Sequence, residues 1–194
     1  MFPESIYLAS SSPRRAEILR AVGWPFQLVK GAVDETRQPD EKAVDYVMRL
    51  AQAKAVAGAL TLGSGLVLGA DTVVVVGGEI LGQPRDPDDA RRMLSLLSGR
   101  WHEVLTGVAL MRAGDERQIV AAHELTRVRF SSMSAEEIEW YVGTGEPLGK
   151  AGAYAIQGQA ALFIEEIQGD YFNIVGLPIH LVLELARRIW SAAA

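Results

Sequence analysis

One run of residues constrains the fold of this chain more than any other feature. Residues 66–76 read LVLGADTVVVV, a stretch that is almost continuously apolar and rich in β-branched valine. Such a strand is typically buried on both faces, because a strand with one solvated face alternates apolar and polar residues. The sequence therefore predicts a sheet wrapped by helices, with one acid, Asp71, inside a buried strand.

The rest of the chain alternates between strand-like and helix-like segments. The predicted strands are residues 6–10, 26–30, 66–76, 79–81, 101–111, 119–130 and 161–167. The predicted helices are residues 16–22, 40–60, 87–97, 134–143 and 177–190. The pair 101–111 and 119–130, joined by a polar loop, is expected to be antiparallel. We therefore predict an α/β fold, a mixed, partly antiparallel twisted sheet wrapped by helices.

Composition excludes several classes of function. The 194 residues contain no cysteine and only three histidines, so a disulfide framework, a cysteine-ligated metal and a cysteine nucleophile are excluded. The length predicts one domain, residues 1–194. The formal net charge of −5 disfavours binding to a nucleic-acid polymer, which would need a basic face. A nucleotide bound in a local basic pocket stays compatible with that charge.

No segment predicts export or membrane insertion. Residues 1–5 carry a proline and an acid where a signal peptide would carry basic and then apolar residues. The apolar runs 66–76 and 174–183 are interrupted and shorter than the ~20 residues needed to cross a bilayer. We therefore expect a cytoplasmic protein that does not bind a membrane.

Residues 10–15, SSSPRR, predict an anion site. They follow a predicted strand and begin a predicted helix, with Ser12 in the capping position and Pro13 in the first turn. Free N–H groups at a helix N-terminus attract negative charge, and Arg14 and Arg15 add guanidinium groups that bind phosphate oxygens. The alternative is a capped surface helix with two solvated arginines.

Three further residues are candidates for chemistry. Asp71 interrupts a buried strand, and a buried carboxylate is costly unless it is paired, metal-bound or protonated. Its alternative role is structural, with the carboxylate turning a bulge and capped by the N–H of Thr72 or Gly69. Glu35, beside Asp34 in a polar loop, would join Asp71 as a hard oxygen ligand for Mg²⁺ or Mn²⁺, and Lys54 would contact a phosphate. Taken singly, Asp34, Glu35 and Lys54 are also compatible with solvated surface positions.

Two familiar nucleotide motifs and one hydrolase motif are absent. Residues 145–151, GEPLGKA, differ from a P-loop in glycine spacing, in the residue after the lysine and in lacking a preceding strand. Residues 63–65, GSG, precede a strand, whereas a dinucleotide fingerprint follows one. No Gly-x-Ser-x-Gly elbow is present, which disfavours a serine hydrolase.

Together these segments resemble the Maf family of nucleoside triphosphate pyrophosphatases. The resemblance spans nearly the whole chain and rests on residues 8–15 (LASSSPRR), 33–35 (VDE), 51–55 (AQAKA), 69–74 (GADTVV), 82–84 (GQP), 97–102 (LSGRWH), 149–158 (GKAGAYAIQG) and 176–178 (GLP). Several separate motifs in one order make a chance match improbable. The resemblance implies a single Maf/ITPase-like domain with two lobes around a central cleft.

The resemblance also implies the reaction and the roles of individual residues. Family members cleave a nucleoside triphosphate to its monophosphate and pyrophosphate. By position, the resemblance implies that Asp71 is the proton acceptor that activates water and that Arg14, Thr72 and Gln157 are tied to substrate choice. Neutralising the leaving pyrophosphate suits Lys54 and a divalent metal cation near Glu35, so we expect Lys54 and Glu35 as further catalytic residues and Glu35 and Asp71 as metal ligands. The expected substrate-binding residues are Ser10, Ser12, Arg14, Arg15, Thr72 and Gln157.

Residues 150–158 and 169–173 resemble the branch of the family that acts on dTTP and UTP. The Gln157 amide can accept a hydrogen bond from uracil N3–H and donate one to a ring carbonyl. Alternative functions are a 7-methyl-GTP pyrophosphatase of the same family and a non-catalytic nucleotide-binding regulator of cell division. The resemblance further implies action on modified pyrimidine nucleotides, a role in cleaning the nucleotide pool, a link to septum formation and a homodimer.

Overall fold

The computed structural model describes residues 4–114 and 118–192. In these residues the strands are β1 (Ile6–Ala9), β2 (Phe26–Leu28), β3 (Gly65–Val76), β4 (Glu79–Leu81), β5 (Trp101–Ala113), β6 (Gln118–Phe130) and β7 (Ile164–Gln168). The helices are α1 (Pro13–Ala21), α2 (Ala43–Ala59), α3 (Pro87–Leu97), α4 (Ala135–Gly143), α5 (Tyr171–Val175) and α6 (Ile179–Ala192). Two short 3-10 turns, Ala151–Ala153 and Gln159–Phe163, lie between α4 and β7.

The seven strands form one mixed sheet, as predicted. The strand order is β2-β1-β3-β5-β6-β7, with β4 paired to β3. β1 runs parallel to both β2 and β3, whereas β4 is antiparallel to β3 and β7 is antiparallel to β6. β5 and β6 are neighbours, and residues 115–117 of the loop predicted between them lie outside the described residues. The prediction of an α/β fold with a partly antiparallel sheet is confirmed.

Local sequence signals explain where several helices begin. The Asp86 carboxylate accepts a hydrogen bond from the Asp89 N–H at 2.8 Å and caps α3. The Ser134 hydroxyl and the Glu137 carboxylate each accept the other residue's backbone N–H, which confirms the predicted capping box of α4. Ser12 is the exception, because it occupies the N-cap position of α1 but its side chain makes no capping hydrogen bond.

The structure differs from the predicted elements at two places near the C-terminus. Residues 161–163 were predicted as the start of a strand, but they lie in a 3-10 turn, and the strand begins only at Ile164. The amides of Gln159 and Ala160 donate to the Glu146 carboxylate, so the chain curls at this point instead of pairing with a neighbouring strand. The short helix α5 was not predicted, because five residues are too few for a periodic pattern.

The described residues divide into two compact units. Unit 1 contains the described residues up to 71, residues 106–124 and residues from 176 onward, and unit 2 contains residues 72–105 and 125–175. Three strands, β3, β5 and β6, contribute residues to both units. The arrangement of all 194 residues as one domain of two lobes stays a prediction. Within the described ranges, every helix is too short or too polar to span a lipid bilayer.

In unit 1, helix α2 lies close against the sheet because the facing residues are small. Ala51, Ala55 and Ala59 are four residues apart, so they share one face of α2, and all three are buried. A Cβ at Gly69 of β3 would lie 2.6 Å from the Ala55 backbone nitrogen and would also meet the Ala51 carbonyl oxygen. The absence of a side chain at Gly69 therefore lets α2 pass next to the part of β3 that carries Asp71.

We expect Gly69→Ala to lower the free energy of unfolding by about 2 kcal/mol, because the new methyl group has no space beside the α2 backbone. Urea denaturation would measure the change. Gly63→Ala is the matched control, since a Cβ at Gly63 would meet nothing within 4 Å. Equal stability of the two variants would contradict the close packing of α2 on β3.

Candidate active site

Asp71 lies in β3 of unit 1, where its carboxylate pairs with a lysine from α2. Asp71 is buried, and its Oδ1 accepts a hydrogen bond from Lys54 Nζ at 2.7 Å. The same Lys54 nitrogen lies 2.7 Å from Glu35 Oε1. The two carboxylate oxygens are therefore no more than twice that distance apart. Three residues that are far apart in the sequence thus form one charged cluster in unit 1.

The charge of Asp71 is set by opposing effects. Burial raises its pKa above the ordinary value, the positive charges of Lys54 and Arg15 lower it, and the negative charge of Glu35 raises it again. Burial prevails, so the pKa of Asp71 is raised. A carboxyl group with a raised pKa binds a proton more readily than an ordinary aspartate, which is the property required of a general base.

Arg15 is a buried cation near this cluster. Its Nε donates to the Gly176 carbonyl oxygen at 2.8 Å, and its Nη1 donates to the Ser10 hydroxyl oxygen at 2.9 Å. Burial lowers the pKa of Arg15, and the negative charge of Asp71 raises it in part. An arginine keeps its charge in a protein, so Arg15 supplies a fixed positive charge to unit 1.

The parallel pairing of β1 and β3 explains why the predicted anion site lies beside Asp71. Ala9 at the end of β1 is in register with Gly69 of β3. Ser10 and the start of α1 therefore follow β1 at the level of Asp71. The Ser10 hydroxyl oxygen also accepts the Ser12 N–H at 3.2 Å, which orders the turn before α1.

The loop that carries Glu35 is held by side chains of α2. The Tyr46 hydroxyl donates to the Glu35 carbonyl oxygen at 2.9 Å, and Arg49 Nη2 donates to the Thr36 carbonyl oxygen at 3.1 Å. Arg49 also forms two hydrogen bonds with the Glu41 carboxylate, at 2.6 and 2.8 Å, and these hold the pKa of Glu41 at about 2. Glu35 is therefore presented by an anchored loop, although its side chain is 59% exposed.

Hydrogen bonds, ion pairs and charge link several of the residues predicted for the site. Unit 1 contains Ser10, Ser12, Arg14, Arg15, Glu35, Lys54 and Asp71. Arg14 is half-buried in α1, and its charge acts on Arg15. Thr72 and Gln157 belong to unit 2, where Thr72 is half-buried in β3 and Gln157 is exposed in a turn.

Two further residues contribute to the site and are not among the predicted site residues. The Gly176 carbonyl, which accepts from Arg15, is 161 residues away in the chain, and Tyr46 looks like any other aromatic residue of an amphipathic helix. Only the Gly-Leu-Pro motif at 176–178 marked the first of these positions, and no linear signal marks the second.

The carboxylates of Glu35 and Asp71 fit a divalent cation that is shared with a substrate. Both contact the same ammonium group, so their positions already accommodate a positive charge between them. Among residues 4–114 and 118–192, no group of three or more His, Cys, Asp or Glu side chains could hold a metal ion. Mg²⁺ commonly binds through one or two carboxylates together with substrate phosphates and waters, and this donor set matches that mode.

The fold and the site together are typical of proteins that bind phosphorylated small molecules. In unit 1, the sheet of this α/β fold carries a buried acid, a lysine and a buried arginine at the level of a helix N-terminus. Such a combination of positive groups and free N–H groups suits phosphate binding. The chain belongs to the Maf family, since the family model described as Maf-like protein matches residues 5–189.

Curated relatives of this chain cover almost its full length. A protein of Symbiobacterium thermophilum named dTTP/UTP pyrophosphatase is 53% identical over 182 residues, covering 94% of this chain and 92% of the relative. A protein of the same name from Anaeromyxobacter dehalogenans is 50% identical, covering 94% and 93%. One from Escherichia coli O157:H7 is 47% identical, covering 93% and 91%.

Likeness to solved structures is weaker. The Staphylococcus aureus Ham1 protein matches 66% of this chain and 72% of its own, with 14% identity and a TM-score of 0.47. That likeness is too low to bear on fold or function.

Proposed function

We propose that this protein hydrolyses dTTP and UTP to the nucleoside monophosphate and pyrophosphate, with Asp71 as the general base. The observation that carries the proposal is the buried Asp71 carboxylate paired with Lys54 near the buried Arg15. The names of relatives about 50% identical to this chain support the same reaction and the same substrates.

The proposed step is a direct attack by water at the α-phosphorus. As the water oxygen forms its bond to phosphorus, Asp71 takes one of its protons. The bond between the α-phosphorus and the bridging oxygen breaks, and pyrophosphate leaves with the electron pair. Holding the water in line between the base and the phosphorus removes much of the entropic barrier.

The positive groups of unit 1 would stabilise the negative charge of the substrate and of the leaving pyrophosphate. Lys54 and Arg15 are held in place before any substrate binds, so little reorganisation is needed when charge develops. Ser10, Ser12 and Arg14 would bind phosphate oxygens at the start of α1.

Glu35 and Asp71 would hold a divalent cation, Mg²⁺ or Mn²⁺, which when bound would supply Lewis-acid stabilisation of phosphate charge. The ammonium group of Lys54 already lies between the two carboxylates. Lys54 therefore balances their charge and keeps both side chains oriented.

Thr72 and Gln157 are proposed to select the nucleotide. The Gln157 side chain is exposed, so it is accessible to a ligand. Its amide matches the N3–H and carbonyl groups shared by uracil and thymine, and a base without these groups would leave polar atoms unpaired. The cellular role proposed for this selectivity is the removal of unwanted pyrimidine nucleotides from the pool.

Pyrophosphate release from a panel of nucleoside triphosphates, with Mg²⁺ and with Mn²⁺, tests the proposal. We expect dTTP and UTP to be cleaved, with UTP preferred to 7-methyl-GTP by about 100-fold in kcat/KM. Faster cleavage of 7-methyl-GTP would favour the other specificity of the family. Nucleotide binding in a calorimeter without any turnover would favour the non-catalytic regulator of cell division.

We expect the acidic limb of the pH profile to lie above 3.8, the ordinary pKa of aspartate, because burial raises the pKa of Asp71. Only the carboxylate accepts a proton, so kcat/KM should rise as pH increases through the raised pKa. Measurement of kcat/KM for UTP across the acidic range would check this expectation. An acidic limb at or below pH 3.8 would contradict a raised pKa of Asp71.

The contribution of Asp71 to protein stability should fall as pH rises, whereas kcat/KM should rise. The Asp71 carboxyl binds its proton more tightly in the folded than in the unfolded state. Its stabilising contribution is therefore fully present below the unfolded pKa and is lost as pH rises through the raised pKa.

A further inference from the structure

A single carboxylate in unit 2 organises the turn that carries Gln157. Glu146 Oε1 accepts a hydrogen bond from the Tyr141 hydroxyl at 2.7 Å, and its Oε2 accepts the Gln159 N–H at 3.0 Å. The Ala160 N–H donates to Oε1 at 3.4 Å. The carboxylate thus binds the backbone two and three residues after Gln157.

The Glu146 carboxylate is also linked, through the Tyr141 hydroxyl, to the backbone before Gln157. The Ala155 N–H donates to the Tyr141 hydroxyl oxygen at 3.3 Å, and that hydroxyl in turn donates to Glu146. The Gly158 N–H closes the turn by donating to the Ala155 carbonyl oxygen at 3.0 Å. Gln157 is therefore held between two anchored stretches of backbone while its own side chain stays exposed.

Packing at Gly158 indicates that the turn lies directly on this carboxylate. A Cβ added at Gly158 would meet the two carboxylate oxygens and the carboxyl carbon of Glu146 before any other atom. Burial opposes ionisation of Glu146, but the hydrogen bonds from Gln159, Tyr141 and Ala160 outweigh it and lower its pKa. A charged acceptor forms stronger hydrogen bonds to backbone N–H groups than a neutral one.

We propose that Glu146, together with the Tyr141 hydroxyl, is a positioning residue that sets nucleotide specificity by fixing the turn that carries Gln157. This inference rests on the proposed function, and in particular on Gln157 contacting the base. A small displacement of the Gln157 amide would lower the discrimination between nucleobases, because its hydrogen-bond donor and acceptor would no longer align with those of the base. Glu146 belongs to residues 145–151, which do not match a P-loop. The proposed role of this segment is to support the turn that carries Gln157.

UTP and CTP are the most informative pair of substrates. Uracil offers N3–H and a carbonyl at position 4, whereas cytosine has an unprotonated N3 and an amino group there. We expect Glu146→Ala and Tyr141→Phe to lower the ratio of kcat/KM for UTP over CTP by about tenfold or more. The change should arise mainly from a higher KM for UTP, with kcat affected less. Glu146→Gln should retain part of the ratio, since its amide oxygen still accepts.

Glu166→Gln is the matched control, because it removes an exposed carboxylate of β7 in the same unit. Hydrogen exchange of residues 155–160 provides a second measurement that needs no substrate. We expect faster exchange of the Gln159 and Ala160 amides in Glu146→Ala than in wild type or the control. If Glu146→Ala does not fold, Glu146→Gln and Tyr141→Phe carry both measurements.

The outcomes separate this inference from the proposed function. Faster exchange with a lowered UTP-to-CTP ratio supports the positioning role. An unchanged ratio in variants that exchange faster, or unchanged exchange, overturns it. A wild-type protein that cleaves no nucleotide contradicts the proposed function instead, and the exchange measurement reveals whether the turn is nevertheless ordered by Glu146.

Discussion

Asp71→Asn is expected to reduce kcat for UTP by about 1,000-fold, because an amide of the same shape cannot accept the proton of the attacking water. KM should change much less, since Lys54 and Arg15 keep their positions. The thermal midpoint of unfolding should not fall. Burial disfavours the charged form of Asp71, and the neutral amide removes that cost. Steady-state pyrophosphate release and thermal denaturation measure the two effects.

Asp45→Asn is the matched control, because it removes an exposed carboxylate from α2 of the same unit. It should leave kcat unchanged and lower the thermal midpoint only slightly, because Asp45 is an acidic residue in the first turn of α2. A kcat of Asp71→Asn within about tenfold of wild type would contradict the assignment of Asp71 as general base.

Lys54→Gln is expected to lower kcat/KM for UTP by about 100-fold near neutral pH. The substitution removes the positive charge that touches both Glu35 and Asp71. Without it the two negative charges repel each other, and the pKa of Asp71 rises further. The acidic limb of the pH profile should therefore move to higher pH, and part of the lost activity should return as the pH is raised.

Lys42→Gln tests whether this effect is specific, since Lys42 is an exposed residue at the start of the same helix. It should change neither the rate nor the position of the acidic limb. A Lys54→Gln enzyme with reduced activity but an unshifted limb would contradict the electrostatic role of Lys54 toward Asp71. In that case Lys54 would have only a role in binding phosphate.

Much of the secondary structure was predictable because its causes are local. The β-branched run at 66–76 forms a buried strand, and Asp86 and Ser134 begin helices through hydrogen bonds to residues three positions along the chain. Ser12 shows the limit of such signals. It has the right residue type and position for a cap, yet its backbone N–H is engaged by Ser10 and its side chain makes no capping bond.

The sequence could nominate residues for the candidate site but could not predict their arrangement. The sequence singled out Asp71 because an acid in a buried strand needs a partner, and it singled out Arg15 and Glu35 by residue type and by resemblance. It left open whether Lys54 was a solvated surface residue. The structure gives Lys54 two partners, at 2.7 Å each.

The sequence by itself determined most of the strands and helices, the absence of thiol chemistry, and the family. These properties depend on neighbouring residues, on composition and on motif order. Only the tertiary structure decided that α2 approaches Gly69 closely enough for Lys54 to reach Asp71, that Arg15 contacts Gly176, and that Glu146 supports the turn of Gln157. These contacts join residues distant in the chain, and their geometry depends on strand register and on side-chain volumes that no local pattern encodes.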